Sequence, residues 1–268
     1  MLTTSVKALL CFFLSSLMLS DYATAAAPKR IVSLDLCSDW VLVEYIDRSK
    51  VLALSPLFQK YPADLRAGDT ENDEWPTHDG SLEKLLSLKP DLVLVGEHNA
   101  WLLRERLKRL GFRVIVLSHP KNMSQVIDYE NQFFNAVGSK RRSLLMLPKV
   151  KHLLLHKALM LGNNGIGTGQ GTFENDVLKY AGWGNYLDEE GYIRLQLEEL
   201  VIRKPDVILS ATSDDAALAS QFAQHTAIRK LMQRNEWIDS SSWRWRCPGP
   251  WTWELVSELA LELKKFNE

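Results

Sequence analysis

The residues best equipped for chemistry lie near the end of the chain, in Trp243-Arg244-Trp245-Arg246-Cys247-Pro248-Gly249-Pro250-Trp251-Thr252-Trp253, which holds four of the nine tryptophans. In an extended loop, alternating Trp and Arg places aromatic planes on one side and guanidinium donors on the other. Such a surface suits a large, flat, polar or anionic ligand, held by stacking, cation–π contact and carboxylate pairing. Trp243, Trp245, Arg244 and Arg246 are therefore ligand-binding candidates, while Trp251 and Trp253 read as anchors for the final helix. Trp75 and Tyr192 are further aromatic candidates, each placed shortly before one copy of a repeated segment, and Arg194 joins them as a polar contact.

Other chemistries find less support. His78, His98 and His119 fall on loops that could border a cleft, which keeps direct transition-metal binding open as an alternative. His152 and His156 share a helical face, but HLLLH lacks the glutamate of a metalloprotease motif. The run Gly165-Ile166-Gly167-Thr168-Gly169-Gln170-Gly171-Thr172 looks like a nucleotide loop but has no Gly-Lys-Ser/Thr and no G-x-G-x-x-G spacing. Its glycines are expected to permit a close approach, with Thr172 capping the next helix. There is no G-x-S-x-G elbow and no supported Cys/His nucleophile pair. No catalytic residue, cofactor or resident metal site is assigned, and a chelatase-like enzyme acting on tetrapyrroles is the weakest alternative.

The elements that must position these groups come from an internal repeat. Residues 81–95 read SLEKLLSLKPDLVLV and residues 196–210 read QLEELVIRKPDVILS, with Leu82, Glu83, Leu85, Lys89, Pro90, Asp91 and Leu94 matching Leu197, Glu198, Leu200, Lys204, Pro205, Asp206 and Leu209. The leucines have helical spacing. The residue before each proline is pushed out of the α region, so the helix stops there. A short apolar run follows, as in a strand buried on both faces. A helix–turn–strand unit occurring twice predicts two similar α/β lobes.

The flanking segments alternate in the same way, with strands at Ile31–Leu34, Val51–Leu54 and Arg113–Leu117, helices at Trp40–Ile46 and 99–110, and a closing helix near 250–266. Alternation of this kind gives mainly parallel sheets. The predicted organisation is a first lobe at 28–122, a helical connector at 123–157 kinked by Pro148, and a second lobe at 158–268. Ligands of open α/β lobes bind beyond the carboxyl ends of the strands. The candidate cleft loops therefore include Asp35–Ser38, Glu97–Asn99, Ser118–His119, Asn163–Thr172 and Ser240–Gly249.

Composition bounds the setting. Lys7, the apolar run Ala8–Leu19 and Ala23-Thr24-Ala25 read as a secretory signal peptide over residues 1–25. A net charge of −1 argues against general nucleic-acid binding. After cleavage two cysteines would remain, Cys37 and Cys247. An oxidising compartment favours a disulfide between them, with two buried thiols as the alternative.

Taken in order, RIVSLDLCSDWVLVEYI, both copies of L-E-x-L-x-x-x-K-P-D, LGFRVIVL, GTFENDVLKYAGWGN and WRWRCPGPWTWELVSELA resemble the periplasmic binding proteins for cobalamin and ferric siderophores, over residues 28–266. The resemblance implies two Rossmann-like lobes joined by a helix, a shallow cleft and no catalysis. It also implies a monomer that carries a small-molecule metal chelate to the permease dimer and ATPase of an ABC importer. It further implies that Glu83 and Glu198 dock on the transporter, that Tyr192 packs on the ligand, and that Trp243 is the tryptophan of the loop before the last helix. Thr77 stands at the place equivalent to Tyr192 in the first lobe, with Trp75 and His78 beside it.

Overall fold

The computed structural model describes residues 27–60, 75–139, 156–211, 221–232, 237–240 and 243–266. The expected signal peptide, the Pro148 kink with the later part of the connector, and His152 lie outside them.

The first lobe runs β1 (Ile31–Ser33), α1 (Leu36–Tyr45), β2 (Val51–Ala53), α2 (Leu82–Leu88), β3 (Leu92–Gly96), α3 (Trp101–Arg109) and β4 (Val114–Leu117). Its four strands are all parallel, in the order β2-β1-β3-β4. The helix α4 (Met123–Val137) follows. The second lobe contains β5 (Lys157–Leu161), β6 (Ile166–Thr168), α5 (Phe173–Tyr180), β7 (Gly184–Asn185), β8 (Tyr192–Arg194), α6 (Leu197–Ile202) and β9 (Val207–Ser210). It ends with α7 (Gln221–Gln224), α8 (Thr226–Met232), β10 (Trp237–Asp239) and α9 (Thr252–Phe266).

Strands β7, β5, β9 and β10 repeat the parallel order of the first sheet, because β5 pairs in parallel with both β7 and β9, and β10 with β9. The later half of β5 carries an addition, an antiparallel β6 that in turn pairs with β8. This antiparallel pair of β6 and β8 was not foreseen. Its glycines serve backbone packing, since a Cβ on Gly169 would stand 2.1 Å from the Glu189 carbonyl oxygen. Thr172 caps α5 as its position predicts, its Oγ1 accepting the Asn175 N–H at 3.2 Å.

Both copies of the repeat make the same structure for the same reasons. In β3, Leu92 and Leu94 enter one apolar cluster while Val93 and Val95 enter the cluster on the opposite face. In β9, Val207 and Leu209 face one way and Ile208 the other. Such two-sided burial is what a continuous apolar run encodes in a parallel sheet. Leu85 of α2 and Leu200 of α6 are the buried leucines beneath each helix. Asp91 accepts the N–H groups of Lys29 at 2.8 Å and Arg30 at 3.0 Å, and Asp206 accepts that of Lys157 at 2.7 Å. The acidic residue of each Lys-Pro-Asp thus pins the entry of the neighbouring strand.

Three connections hold the lobes together. Helix α4 starts in the second-lobe core with Met123 and Val126 and ends in the first-lobe core with Phe133, Phe134 and Val137. Residues 243–251, which precede a helix of the second lobe, send Cys247 and Trp251 into the first-lobe core. Cys37 and Cys247 form a disulfide with Cα atoms 5.3 Å apart. Two boundaries differ from expectation: α1 starts at Leu36, where Asp35 caps it, and α9 starts at Thr252, so Pro250 stands before the helix and not in its first turn.

Candidate functional site

An open pocket enclosing about 360 Å³ lies at the carboxyl ends of β1, β3 and β4, closed on one side by the disulfide. Asp35 caps α1 and Cys37 and Ser38 lie in its first turn, Gly96 ends β3 with Glu97 to Asn99 after it, and Leu117 ends β4 with Ser118 to Pro120 after it. Tyr129 of α4 and Cys247 and Pro248 of the late segment complete it. These are the loops that the strand-end rule selected, and they meet because parallel strands deliver their carboxyl ends to one edge.

The floor is a buried carboxylate. Asp35 Oδ1 accepts the Ser38 N–H at 3.1 Å, and Oδ2 accepts the Ser38 hydroxyl and the Gly96 N–H, both at 2.7 Å. One side chain therefore caps α1 and ties the end of β1 to the end of β3. Burial pushes its pKa up, against the lowering effect of those hydrogen bonds. One turn further along α1, Asp39 accepts the Ser55 N–H at 2.9 Å and hydroxyl at 2.5 Å, and burial raises it to about 7. Tyr129, 4% exposed, buries its hydroxyl beside Ser38, and that burial pushes its pKa up.

The rim carries Glu97, His98 and His119. Glu97 Oε1 accepts the His119 N–H at 2.9 Å and lies 3.2 Å from His98 Nε2, so one carboxylate links the loops after β3 and β4. The two imidazole rings stand 6.1 Å apart between centroids. Burial lowers the His119 pKa, with the neighbouring His98 adding to the effect. His78, grouped with them by sequence, does something else. Its Nε2 bonds the Ser33 carbonyl at 2.8 Å and its Nδ1 accepts the Gly80 N–H at 2.9 Å, so both ring nitrogens are occupied within the fold. Among the described residues no three histidine, cysteine or carboxylate groups converge to hold a bare ion.

None of the sequence-selected aromatics and arginines lines this pocket. Trp243 packs between Trp40 and Trp251, with centroids 4.5 and 4.4 Å away. Trp245 is buried in the second-lobe core, where its indole N–H donates to the Ser240 carbonyl at 2.9 Å. Arg244 forms a two-pronged ion pair with Glu258 of α9. These three knit the lobes together, so the expected stacking face of the Trp/Arg loop is largely spent on the protein itself. Arg246 is exposed. The Arg48 guanidinium sits 4.7 Å over the Trp75 ring. Tyr192, 68% exposed, and Arg194 project from the same face of the edge strand β8. Glu83 and Glu198 are exposed in the first turns of α2 and α6. Tyr129 escaped sequence reading because it is one of many aromatics on an amphipathic helix.

No protein-family model matches this sequence, and no curated relative matches it. Solved structures do resemble it. The periplasmic vitamin B12 binding protein of Vibrio cholerae superposes with a TM-score of 0.53 at 20% identity, over 90% of this chain and 99% of the other. A periplasmic heme-binding protein from a Roseiflexus species gives 0.58 at 16%, over 90% and 99%. The Helicobacter pylori protein Ceue, with Ni(II) bound, gives 0.59 at 17%, over 88% and 84%. With one parallel-sheet and one mixed-sheet lobe bridged by a helix, and a pocket at the strand ends of the first, the chain has the fold of the periplasmic solute-binding proteins.

Proposed function

We propose that this protein is a non-catalytic periplasmic binding protein that captures a metal chelate, either a corrinoid such as cobalamin or a ferric siderophore. It hands this cargo to an ABC importer, a permease dimer with its ATPase. The observation that carries the reading is the open pocket at the strand ends of a duplicated α/β frame. Pockets at such edges take small molecules. The structural neighbours include binders of vitamin B12, heme and Ni(II), which supports a metal-centred cargo.

In this reading Tyr192, Arg194 and Arg246 are exposed groups that reach the cargo beyond the pocket, with Trp75 beside them. A helix between parallel strands runs against them, so the first turns of α2 and α6 lie on the pocket edge of each sheet. Glu83 and Glu198 there give each lobe one acidic contact for arginines of the transporter, and pairing of that kind sets orientation and encounter rate. The protein works as a monomer without a resident cofactor.

Titrating cobalamin, haemin and ferric siderophores into the apo protein tests the proposal through tryptophan fluorescence. One class is expected to quench saturably at equimolar ratio. The proposal is lost if none quenches and zinc alone raises the melting temperature.

A further inference from the structure

We propose that the pocket at the first-lobe strand ends selects its cargo by charge. The end of the chelate that enters it is positively charged, a protonated amine or a metal centre of net positive charge, and it faces Asp35 and Glu97. The inference rests on the metal-chelate reading above and narrows it to chelates with a cationic end.

The lining carries two carboxylates, Asp35 on the floor and Glu97 on the rim, and no lysine or arginine. Both Asp35 oxygens accept, from the Ser38 N–H and hydroxyl and from the Gly96 N–H, which is the role of an ionised carboxylate. Glu97 meets the His119 N–H and His98 Nε2 through one oxygen, Oε1. Among the described residues neither carboxylate is paired with a lysine or arginine. Arg104 of α3 lies beside the rim, but its Nη1 donates to the Gly96 carbonyl at 3.3 Å and the Glu97 carbonyl at 2.6 Å, and its Nε is 4.0 Å from Glu105. Its charge is thus turned to main-chain oxygens and to a third carboxylate. Burial holds His119 toward its neutral form. The first turn of α3, which has no side-chain cap, adds a partial positive charge of about half a unit, less than either carboxylate carries.

Carboxylates of one sign lining a concave wall raise the local concentration of cations and repel anions. The disulfide wall, Cys37 and Cys247 with Pro248, brings no charge to offset them. A chelate that pushed its own carboxylates into this space would meet like charges, and such juxtaposition rejects a ligand more sharply than a missing contact does. The arginines offered to the cargo, Arg194 and Arg246, are not in the lining. The two parts of the site therefore ask for opposite signs, which orients the cargo with its positive end inward and any negative groups outward.

The test holds the chelate constant and varies only its charge. The mature protein is titrated with ferrioxamine B, whose free amine makes it positive, and with its neutral N-acetyl and negative N-succinyl derivatives. A parallel series uses neutral cyanocobalamin, its positive aminoethylamide and its negative monocarboxylate. One series should bind, with affinity falling about three- to tenfold at each step from positive to neutral to negative, and with the ratio shrinking as salt is raised. Glu97→Gln keeps an oxygen for the His119 N–H and should cut the positive-to-negative ratio at least about threefold. Glu254→Gln, exposed on α9, should leave the ratio unchanged. Circular dichroism confirms that each variant is folded. Equal affinities across a series, or a preference for its negative member, overturn the inference and leave the binding-protein reading standing. An undiminished ratio in folded Glu97→Gln overturns it as well. If no member of either series binds the wild type, both fall.

Discussion

The two lobes are built on one repeat, yet their pocket edges have diverged. In the first, the strand ends carry ionisable groups: Asp35, Asp39, Glu97, His98 and His119. In the second, the described residues at the end of β7 hold a network of neutral amides instead. Asn185 donates to the Thr168 carbonyl at 3.0 Å and to Asn175 Oδ1 at 3.1 Å, and its own Oδ1 accepts the Leu187 N–H at 3.0 Å. The first sheet is wholly parallel, whereas the second has gained the antiparallel pair β6 and β8. Strand interiors are constrained from both faces, so duplication preserves them. Loops at the strand ends answer only to ligand and solvent, and there the copies have parted.

Losing the Cys37–Cys247 bridge has the largest expected effect and would sharpen this contrast. The bond spans 210 residues, and restraining so long a loop is worth about 5 kcal/mol on the chain-entropy account. Because Cys247 and Trp251 belong to the first-lobe core, the Cys37→Ser/Cys247→Ser chain should lose its first lobe before its second in urea, measured by hydrogen exchange. Simultaneous loss at the wild-type midpoint would break the asymmetry.

Next comes Asp39, whose folded pKa of about 7 lies well above the unfolded value of about 3.9. The folded state then holds its proton more tightly, so stability should fall as pH rises from about 4 to about 7, by on the order of 2–4 kcal/mol. Asp39→Asn should flatten that slope in urea melts taken across the window. An unchanged slope would remove the electrostatic distinction between the lobes.

A smaller effect separates the paired aspartates. Asp91 accepts two backbone N–H groups and Asp206 one. Asp91→Ala should cost about 1–2 kcal/mol and Asp206→Ala about half as much. Equal urea midpoints for the two variants would show that the extra bond carries no weight. The smallest stability change is expected for Glu83→Ala/Glu198→Ala, within about 0.5 kcal/mol because both are exposed. Ligand quenching should persist in that variant while uptake through the reconstituted importer falls. Loss of ligand binding instead would overturn the docking role.

Much of the frame was legible before any coordinates, because it is written in local periodicity. The apolar runs of β3 and β9, the leucines of α2 and α6, and the Thr172 cap follow from residues a few positions apart. The strand-end rule also selected the loops that carry His98 and His119. It was the weighting of residues within loops that misled. The Trp/Arg segment looked like a ligand surface, but the partners of Trp243 and Trp245 are Trp40 and Phe173, far away in sequence. The partner of Arg244 is Glu258, fourteen residues on along the last helix. His78 was equally opaque, since its hydrogen bond with the Ser33 carbonyl crosses 45 residues.

The seating of residues 243–251 in the first lobe has a consequence for how the molecule comes into being. A chain made from its amino end exposes β1, α1 and β3 early, but Cys247, which helps seal their shared core, emerges 210 residues after Cys37, and Trp251 later still. Lobes usually mature one at a time, in the order of synthesis. Here the earlier-made half must wait, partly unsealed and prone to sticking, while the later half is still being delivered. Its completion and the joining of the two halves are one event, so any helper that shields or oxidises the nascent chain must still act after Cys247 and Trp251 have been delivered.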